Sequence, residues 1–142
     1  YLLKKEDYGV KNIVYLCGPI NGCTDSEATN WREEFKLAWE HDTLDPMRRD
    51  YRGIEQKSYR EIVELDKIDV RLSDVILVNY VKPSVGTAME VFYAHSIGKP
   101  VVTLCTEKDV SPWLTYHTTI FVSSMSDAVE ACRKCCITTE LP

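Results

Sequence analysis

Apolar and polar positions follow two different periods along this chain. Short apolar runs rich in β-branched residues are typical of buried strands, whereas apolar residues three or four positions apart are typical of amphipathic helices. Runs of the first kind predict five strands, at Lys11–Cys17, Thr43–Pro46, Leu72–Tyr80, Val101–Cys105 and Thr118–Val122. Stretches of the second kind predict helices at about 24–41, 58–71, 84–98 and 126–136, and a short helix that Ser111-Pro112 begins.

The alternation of these strands and helices predicts the fold. Strands separated by helices indicate a three-layer α/β/α domain. Right-handed crossovers between parallel strands favour a flavodoxin-like or Rossmann-like five-stranded sheet of order 2-1-3-4-5. A length of 142 residues suits one such domain, spanning residues 1–142.

The most informative stretch is Pro83–Pro100, PSVGTAMEVFYAHSIGKP, which reads as a loop, a helix and a cap at Gly98. Its larger apolar residues are expected to cover the sheet: Val85, Met89, Phe92 and Ile97. Glu90 is expected in the first turn, among small neighbours, at the sheet edge where such folds bind ligands. The positive helix end would favour its ionised form, and an ionised carboxylate there could act as a nucleophile. Alternatively, Glu90 only complements the helix dipole.

Two loops and one helix carry further candidate chemistry. The glycine-bearing loop at 18–22 could offer backbone N–H groups to an anion, or be a plain tight turn. The loop Asp45–Gly53 holds three arginines and a tyrosine, which either contact a phosphate or a base or form a solvated charged loop. Asp66 and Asp69 lie beside an apolar stripe, and carboxylates in that position are most often solvated. The expected stripe is Ile62, Leu65, Ile68 and Leu72.

The core of the first predicted helix is expected to be formed by residues at helical spacing, Ala28, Trp31, Phe35 and Ala38. Thr24 and Glu27 have the spacing of a capping box at the start of this helix. In the last helix, Ala128, Val129 and Cys132 are expected to point inward.

Composition narrows the classes of function. The net charge of −5 gives no basic footprint for nucleic acid, no apolar stretch is long enough to span a membrane, and the start YLLKKEDYGV does not match a signal peptide. Cys132, Cys135 and Cys136 resemble half a zinc site, but no second Cys/His pair has matching spacing. We therefore interpret them as free thiols, and we expect a reducing, cytoplasmic setting. Cys17 and Cys105 are expected to end buried strands as small apolar groups.

Three stretches together resemble the nucleoside 2-deoxyribosyltransferase family: YLCGPINGCTD, ELDKIDVRLSDVILVNY and KPSVGTAMEVFYAHSIGKPVV. The resemblance runs from about Ile13 to Val122. It implies cleavage of the N-glycosidic bond between a base and a (deoxy)ribose, with no metal and no cofactor. Glu90 matches the glutamate that attacks the anomeric carbon. Asp66, eight residues before Asp74, matches the carboxylate that interacts with the base and helps its protonation.

The resemblance also bears on the substrate. Ser84 stands where the transferases commonly carry an acidic residue and where hydrolases of nucleoside 5′-monophosphates carry a serine. Ser111 matches a serine that contacts phosphate across a dimer interface, and Tyr15 matches a tyrosine found where 2′-deoxy sugars are preferred. Pro19 and Asn21 depart from the deoxynucleotide hydrolase pattern, and both changes remove phosphate donors that the Arg48-Arg49 loop could replace.

The sequence therefore predicts hydrolysis of (2′-deoxy)nucleoside 5′-monophosphates by a homodimer or higher homo-oligomer whose subunits share active-site residues. The expected substrate is a small molecule, and neither nucleic acid nor a membrane is an expected partner. The alternatives are base exchange on deoxynucleosides and a nucleotide-binding sensor without catalysis. A flavodoxin-like electron carrier is disfavoured, because the first loop lacks a phosphate-binding run rich in Ser and Thr. Besides the catalytic pair Glu90 and Asp66, the expected substrate-binding residues are Tyr15, Gly18, Pro19, Ile20, Asn21, Asp45, Arg48, Ser84, Gly86 and Ser111.

Overall fold

Five parallel strands form one sheet in the order β2-β1-β3-β4-β5, which confirms the predicted topology. The structure, a computed structural model, describes residues 12–137, so the opening segment YLLKKEDYGV and Lys11, the predicted start of the first strand, lie outside the described residues. The strands are β1 Val14–Cys17, β2 Thr43–Leu44, β3 Val75–Asn79, β4 Val101–Leu104 and β5 Ile120–Val122. The helices are α1 Asp25–Ala38, α2 Glu55–Leu72, α3 Val85–Ser96, α4 Pro112–His117 and α5 Met125–Ile137.

Alternate residues of the central strands divide the core into two layers, because successive side chains of a strand point to opposite faces. Val14 and Leu16 of β1 pack in a cluster with residues of α1 and α5. Tyr15 and Cys17 pack on the other face, in a cluster with residues of α2 and α3. The result is the predicted three-layer α/β/α arrangement, with the second face turned toward α3.

Helix α1 begins at the predicted capping box. The Thr24 hydroxyl accepts a hydrogen bond from the Glu27 backbone N–H at 3.2 Å, and the Glu27 carboxylate accepts one from the Thr24 N–H at 3.0 Å. Ala28, Trp31 and Phe35 are buried as predicted. The prediction for Ala38 is wrong because the helix ends there. Ala38 is exposed, and the following residue, Trp39, enters the core instead.

The face of α3 that covers the sheet differs from the prediction. Val85 and Met89 are 83% and 64% exposed, and Phe92 and Ile97 are also exposed. Thr87, Val91 and Ala94 are the buried residues of this helix. Small and β-branched side chains on the sheet side let the helix lie close to the strands, while the larger apolar residues face away. The predicted cap is confirmed, since Gly98 follows the helix with a φ of +80°.

The buried face of helix α2 also differs from the prediction. Ile62 and Leu65 are half-buried, but Ile68 and Leu72 of the predicted stripe are exposed. Asp69 and Val70 are buried in their place. Asp69 tolerates burial because two arginines of the loop after β2 pair with it.

The predicted strand Thr43–Pro46 is shorter in the structure and ends at Leu44. Asp45 accepts a hydrogen bond from the Met47 backbone N–H at 2.8 Å and so begins a 3-10 turn, Pro46–Arg48. The loop that carries the arginines therefore starts as an ordered turn.

The cysteines that the structure describes form no disulfide. Cys132, Cys135 and Cys136 are buried on α5, and Ala128 and Val129 point inward with Cys132 as predicted. Cys105 lies just after β4 and is half-buried, so it does not end a buried strand. Within residues 12–137, no helix is long and apolar enough to cross a membrane.

Candidate active site

A cavity of about 190 Å³ lies where the carboxyl ends of the central strands meet the start of α3. Open parallel sheets of this kind bind ligands at that edge. Seven of the predicted site residues line it: Gly18, Ile20, Asn21, Asp66, Ser84, Gly86 and Glu90. The cavity thus brings together the two candidate carboxylates, part of the first loop and the N-terminus of α3.

Glu90 is the sixth residue of α3, not a first-turn residue as predicted. Its carboxylate oxygen Oε2 accepts a hydrogen bond from the Cys17 thiol at 3.1 Å. The Tyr15 hydroxyl is buried beside the same carboxylate and interacts with it, without closing a hydrogen bond of standard geometry. Because Tyr15 and Cys17 are two residues apart on β1, both side chains reach Glu90 from the same face of the sheet.

The ionisation of Glu90 also differs from the prediction. Burial, followed by the negative charge of Asp66, raises the pKa of Glu90 to about 7. Interactions with Cys17, Tyr15 and Arg32 oppose this rise but do not cancel it. Desolvation thus outweighs the favourable helix end, whose effect is confined to the first turn. Near neutral pH this carboxyl group is present in both protonation states.

Asp66 is half-buried on α2 and contacts Arg49 at 3.2 Å, so it is not the solvated carboxylate that the pattern alone favoured. Burial raises the pKa of Asp66, and the hydrogen bond and charge of Arg49 offset only part of that effect. One turn further along, burial alone would raise the pKa of Asp69. Hydrogen bonds from Arg48 at 2.8 Å and Arg49 at 2.7 Å reverse this and lower it.

Arg49 lines the cavity, although the sequence suggested it only as part of the Arg48-Arg49 loop and not among the expected substrate-binding residues. Its guanidinium bridges Asp66 and Asp69 and lines the cavity. Arg48, the predicted residue, does not line the cavity; it donates to the Asp45 carbonyl oxygen and to Asp69. Two aspartates three positions apart on a helix, opposite adjacent arginines, were the signal that could have pointed to this cluster.

Asp45 and Pro19, two predicted substrate-binding residues, do not line the cavity. The Asp45 carboxylate is buried and pairs with Lys36 at 2.6 Å and with Arg32 at 3.4 Å, so it organises the loop without lining the cavity. Pro19 is buried, and its carbonyl oxygen lies 3.5 Å from the Cys23 thiol.

Arg32 is a fully buried residue that sequence reasoning missed. Its guanidinium donates to the carbonyl oxygens of Leu16 at 3.4 Å and Gly18 at 3.2 Å. A Cβ on Gly18 would come within 2.8 Å of the Trp31 ring, so only glycine fits against α1 at this point. Arg32 and Trp31 together fix the start of the first loop at the cavity edge.

Ser84 and Ser111 cap two helices. The Ser84 hydroxyl accepts from the Thr87 N–H at 3.4 Å, and the Ser111 hydroxyl accepts from the Trp113 N–H at 3.2 Å. Ser84 lines the Glu90 cavity, but Ser111 of the same chain does not.

Ser111 instead lines a second, apolar cavity of about 700 Å³ between α3 and α4. Its walls include the exposed residues Val85, Met89 and Trp113. Ser84 lines both cavities, so the two adjoin at the start of α3.

The fold and the site define an α/β enzyme with paired carboxylates at the carboxyl edge of a parallel sheet. The sequence profile of the nucleoside 2-deoxyribosyltransferase family matches residues 14–138, and this chain belongs to that family of enzymes. No curated protein sequence matches it.

Solved structures share the fold. A 2-deoxyribosyltransferase of Bacillus psychrosaccharolyticus superposes with a TM-score of 0.68 at 15% identity, over 82% of this chain and 90% of that one. A CMP N-glycosidase of Clostridium botulinum superposes with a TM-score of 0.53 at 15% identity, over 85% of this chain and 98% of that one.

Proposed function

We propose that this protein hydrolyses the N-glycosidic bond of 2′-deoxynucleoside 5′-monophosphates, releasing the free base and deoxyribose 5-phosphate. The observation that carries the proposal is the carboxylate of Glu90, which Cys17 holds at 3.1 Å in the wall of a cavity that Asp66 also lines. Paired carboxylates with different surroundings are the machinery of glycoside hydrolysis, which passes through an oxocarbenium-like centre.

The proposed reaction is a double displacement in which Glu90 is the nucleophile. A carboxylate oxygen of Glu90 forms a bond to the anomeric carbon while the bond from that carbon to the base nitrogen breaks. The electron pair of the broken bond leaves with the base, which takes up a proton. Water then attacks the anomeric carbon and gives up a proton, while the bond from that carbon to the Glu90 oxygen breaks and the carboxylate is restored.

Asp66 is the proposed partner of the leaving base. Asp66 lines the same cavity as Glu90, where it can interact with the base and pass it a proton as the bond breaks. Arg49 holds Asp66 from the loop side at 3.2 Å and so fixes the direction from which the proton is offered.

The start of α3 is the proposed phosphate site. The first N–H groups of a helix have no partner within the helix and attract anions. A Cβ on Gly86 would meet nothing within 4 Å, so a phosphate has room beside this backbone. The Ser84 hydroxyl uses an oxygen lone pair to cap Thr87, which leaves its hydrogen to donate to phosphate.

We further propose a homodimer in which Ser111 of the partner subunit completes this site. Ser111 does not line the Glu90 cavity of its own chain, yet the apolar cavity that it lines meets that cavity at Ser84. Trp113 and Tyr116 are 72% and 73% exposed on the same helix and are suitable anchors for an interface.

A substrate panel tests the proposed activity. Deoxynucleosides and their 5′-monophosphates are incubated with and without a second free base, and released and exchanged bases are separated by chromatography. Glu90→Gln is the matched control for contaminating activity. We expect base release from monophosphates to exceed that from nucleosides by a factor of about ten to several hundred, because charge-assisted hydrogen bonds are worth about 1.5–3 kcal/mol each.

Three outcomes of the panel would overturn the proposal. Equal cleavage of nucleosides and monophosphates would contradict the proposed phosphate site. Base exchange that far outruns hydrolysis would make the protein a transferase, and binding without any turnover would make it a sensor.

A further inference from the structure

We propose that Cys17 is a positioning residue for the nucleophile: its thiol holds oxygen Oε2 of Glu90, so that oxygen Oε1 is the atom that attacks the sugar. This inference rests on the proposed role of Glu90. It assigns a task to a residue that the sequence pattern predicts only as an apolar strand end.

The geometry identifies Cys17 as a hydrogen-bond donor. It is the last residue of β1 and is fully buried, and its sulfur lies 3.1 Å from Glu90 Oε2. A second acceptor, the Thr87 carbonyl oxygen, is farther away at 3.9 Å. Burial, and next the charge of Glu90, raise the pKa of the thiol well above its ordinary value, so the sulfur keeps its hydrogen. A protonated thiol between these oxygens donates to the nearer one.

The strand makes this contact a rigid one. β1 pairs with β2 at Val14 and Tyr15 and with β3 along its whole length, where Cys17 lies opposite Val78, so the backbone that carries Cys17 has little freedom. A glutamate carboxyl group rotates readily about its last side-chain bond. Fixing one of its oxygens on a central strand selects the orientation of the other, and such orientation contributes strongly to reaction rate.

A thiol also suits the chemistry better than a cation would. Arg32 is buried nearby, but its guanidinium donates to backbone carbonyl oxygens of the first loop. A direct ion pair would neutralise the negative charge that makes the carboxylate a nucleophile. The S–H group is a weak donor, so it orients the carboxylate while removing little of that charge.

The contact has a consequence that can be measured. A hydrogen bond to the ionised carboxylate stabilises that form, so the thiol holds the pKa of Glu90 below the value that burial and Asp66 alone would give. Loss of the donor should therefore raise the pH at which Glu90 ionises. It should also reduce kcat more than it changes KM.

The test compares Cys17→Ala with Cys17→Ser, which keeps a donor. Cys132→Ala is the matched control, because it also removes a fully buried thiol, but from the opposite core layer. The readouts are kcat and KM against pH with the best monophosphate of the panel, and the ionisation of Glu90 followed by carbon-13 NMR, with Glu90→Gln assigning the signal.

We expect Cys17→Ala to move the acid limb of kcat/KM and the NMR midpoint upward by roughly half a pH unit to one pH unit, and to lower kcat about three- to tenfold below that midpoint. Cys17→Ser should restore most of both, and Cys132→Ala should change neither. If Cys17→Ala does not fold, Cys17→Val fills the space without a donor and takes its place.

An unchanged Glu90 midpoint in a folded variant without a donor would overturn the positioning role and leave the proposed function standing. Near-normal turnover by Glu90→Gln would instead overturn the proposed function. The two failures are therefore distinguishable.

Discussion

Replacing Glu90 with glutamine should stabilise the folded protein at alkaline pH, because the wild-type carboxylate is ionised there in an unfavourable place. The raised folded-state pKa means that the folded protein binds more protons than the unfolded chain between about pH 4.5 and 7. The stability of the wild type therefore falls as pH rises through this window, and the loss is complete above it. Glutamine has no ionisable group, so the variant does not lose stability in this pH window.

The magnitude follows from the two pKa values. The difference between about 7 and the ordinary 4.5 corresponds to at most about 3.5 kcal/mol, at about 1.4 kcal/mol for each pH unit. Glu90 is only half-buried and meets solvent in the cavity, so screening reduces this figure. We expect Glu90→Gln to gain about 1–3 kcal/mol relative to the wild type between pH 4.5 and 8.5.

Urea unfolding at both pH values measures this gain. A slope of about 1–3 kcal/mol per molar urea turns it into a midpoint shift on the order of 1 M. Glu64→Gln, an exposed site on α2, is the matched control and should show no such pH dependence. The reasoning would be refuted if the difference between Glu90→Gln and the wild type were the same at both pH values.

Three further predictions concern catalysis and assembly. Asp66→Asn should lower the pKa of Glu90, because it removes the largest charge contribution that raises this pKa. The acid limb of kcat/KM should therefore move to lower pH, and kcat should fall. An acid limb at unchanged pH would contradict the electrostatic coupling between Asp66 and Glu90. Ser84→Ala should raise KM for monophosphates about tenfold and change nucleosides little, whereas equal effects on both would mean that Ser84 is only a cap. Trp113→Glu should convert the proposed dimer to monomers, as measured by light scattering, and reduce monophosphate hydrolysis. Lys134→Glu, on α5, is the control. A wild-type protein that is monomeric and fully active would contradict the proposed dimer.

The topology, and the two carboxylates that line the cavity, could be predicted from the sequence, but the buried faces of α2 and α3 could not. Apolar spacing in α3 selected Val85 and Met89, although the sheet side is occupied by Thr87 and Ala94. Periodicity identifies the larger apolar residues, and in α3 Val85 and Met89 line the apolar cavity beside α4. The close approach of α3 to the sheet instead requires small side chains.

The electrostatics of the site could be predicted least, since they depend on contacts between residues far apart in the chain. Cys17 and Glu90 are 73 residues apart, and Arg49 and Asp66 are 17 apart. The helix-end argument treated Glu90 as if it were in the first turn. Its position one turn further in, beside Asp66, makes burial and like charge decide its pKa.

The central claim is that Glu90 forms a covalent bond to the sugar, and detection of that intermediate tests it most directly. A 2′-fluoro-arabino nucleoside monophosphate slows the second displacement, because the fluorine destabilises the oxocarbenium-like centre. After incubation, the protein is digested and its peptides are analysed by mass spectrometry, with Glu90→Gln as the control. We predict a fluorinated sugar phosphate on the peptide that contains Glu90, and none on the variant. An adduct on another residue, or hydrolysis by the wild type that Glu90→Gln retains, would contradict the account.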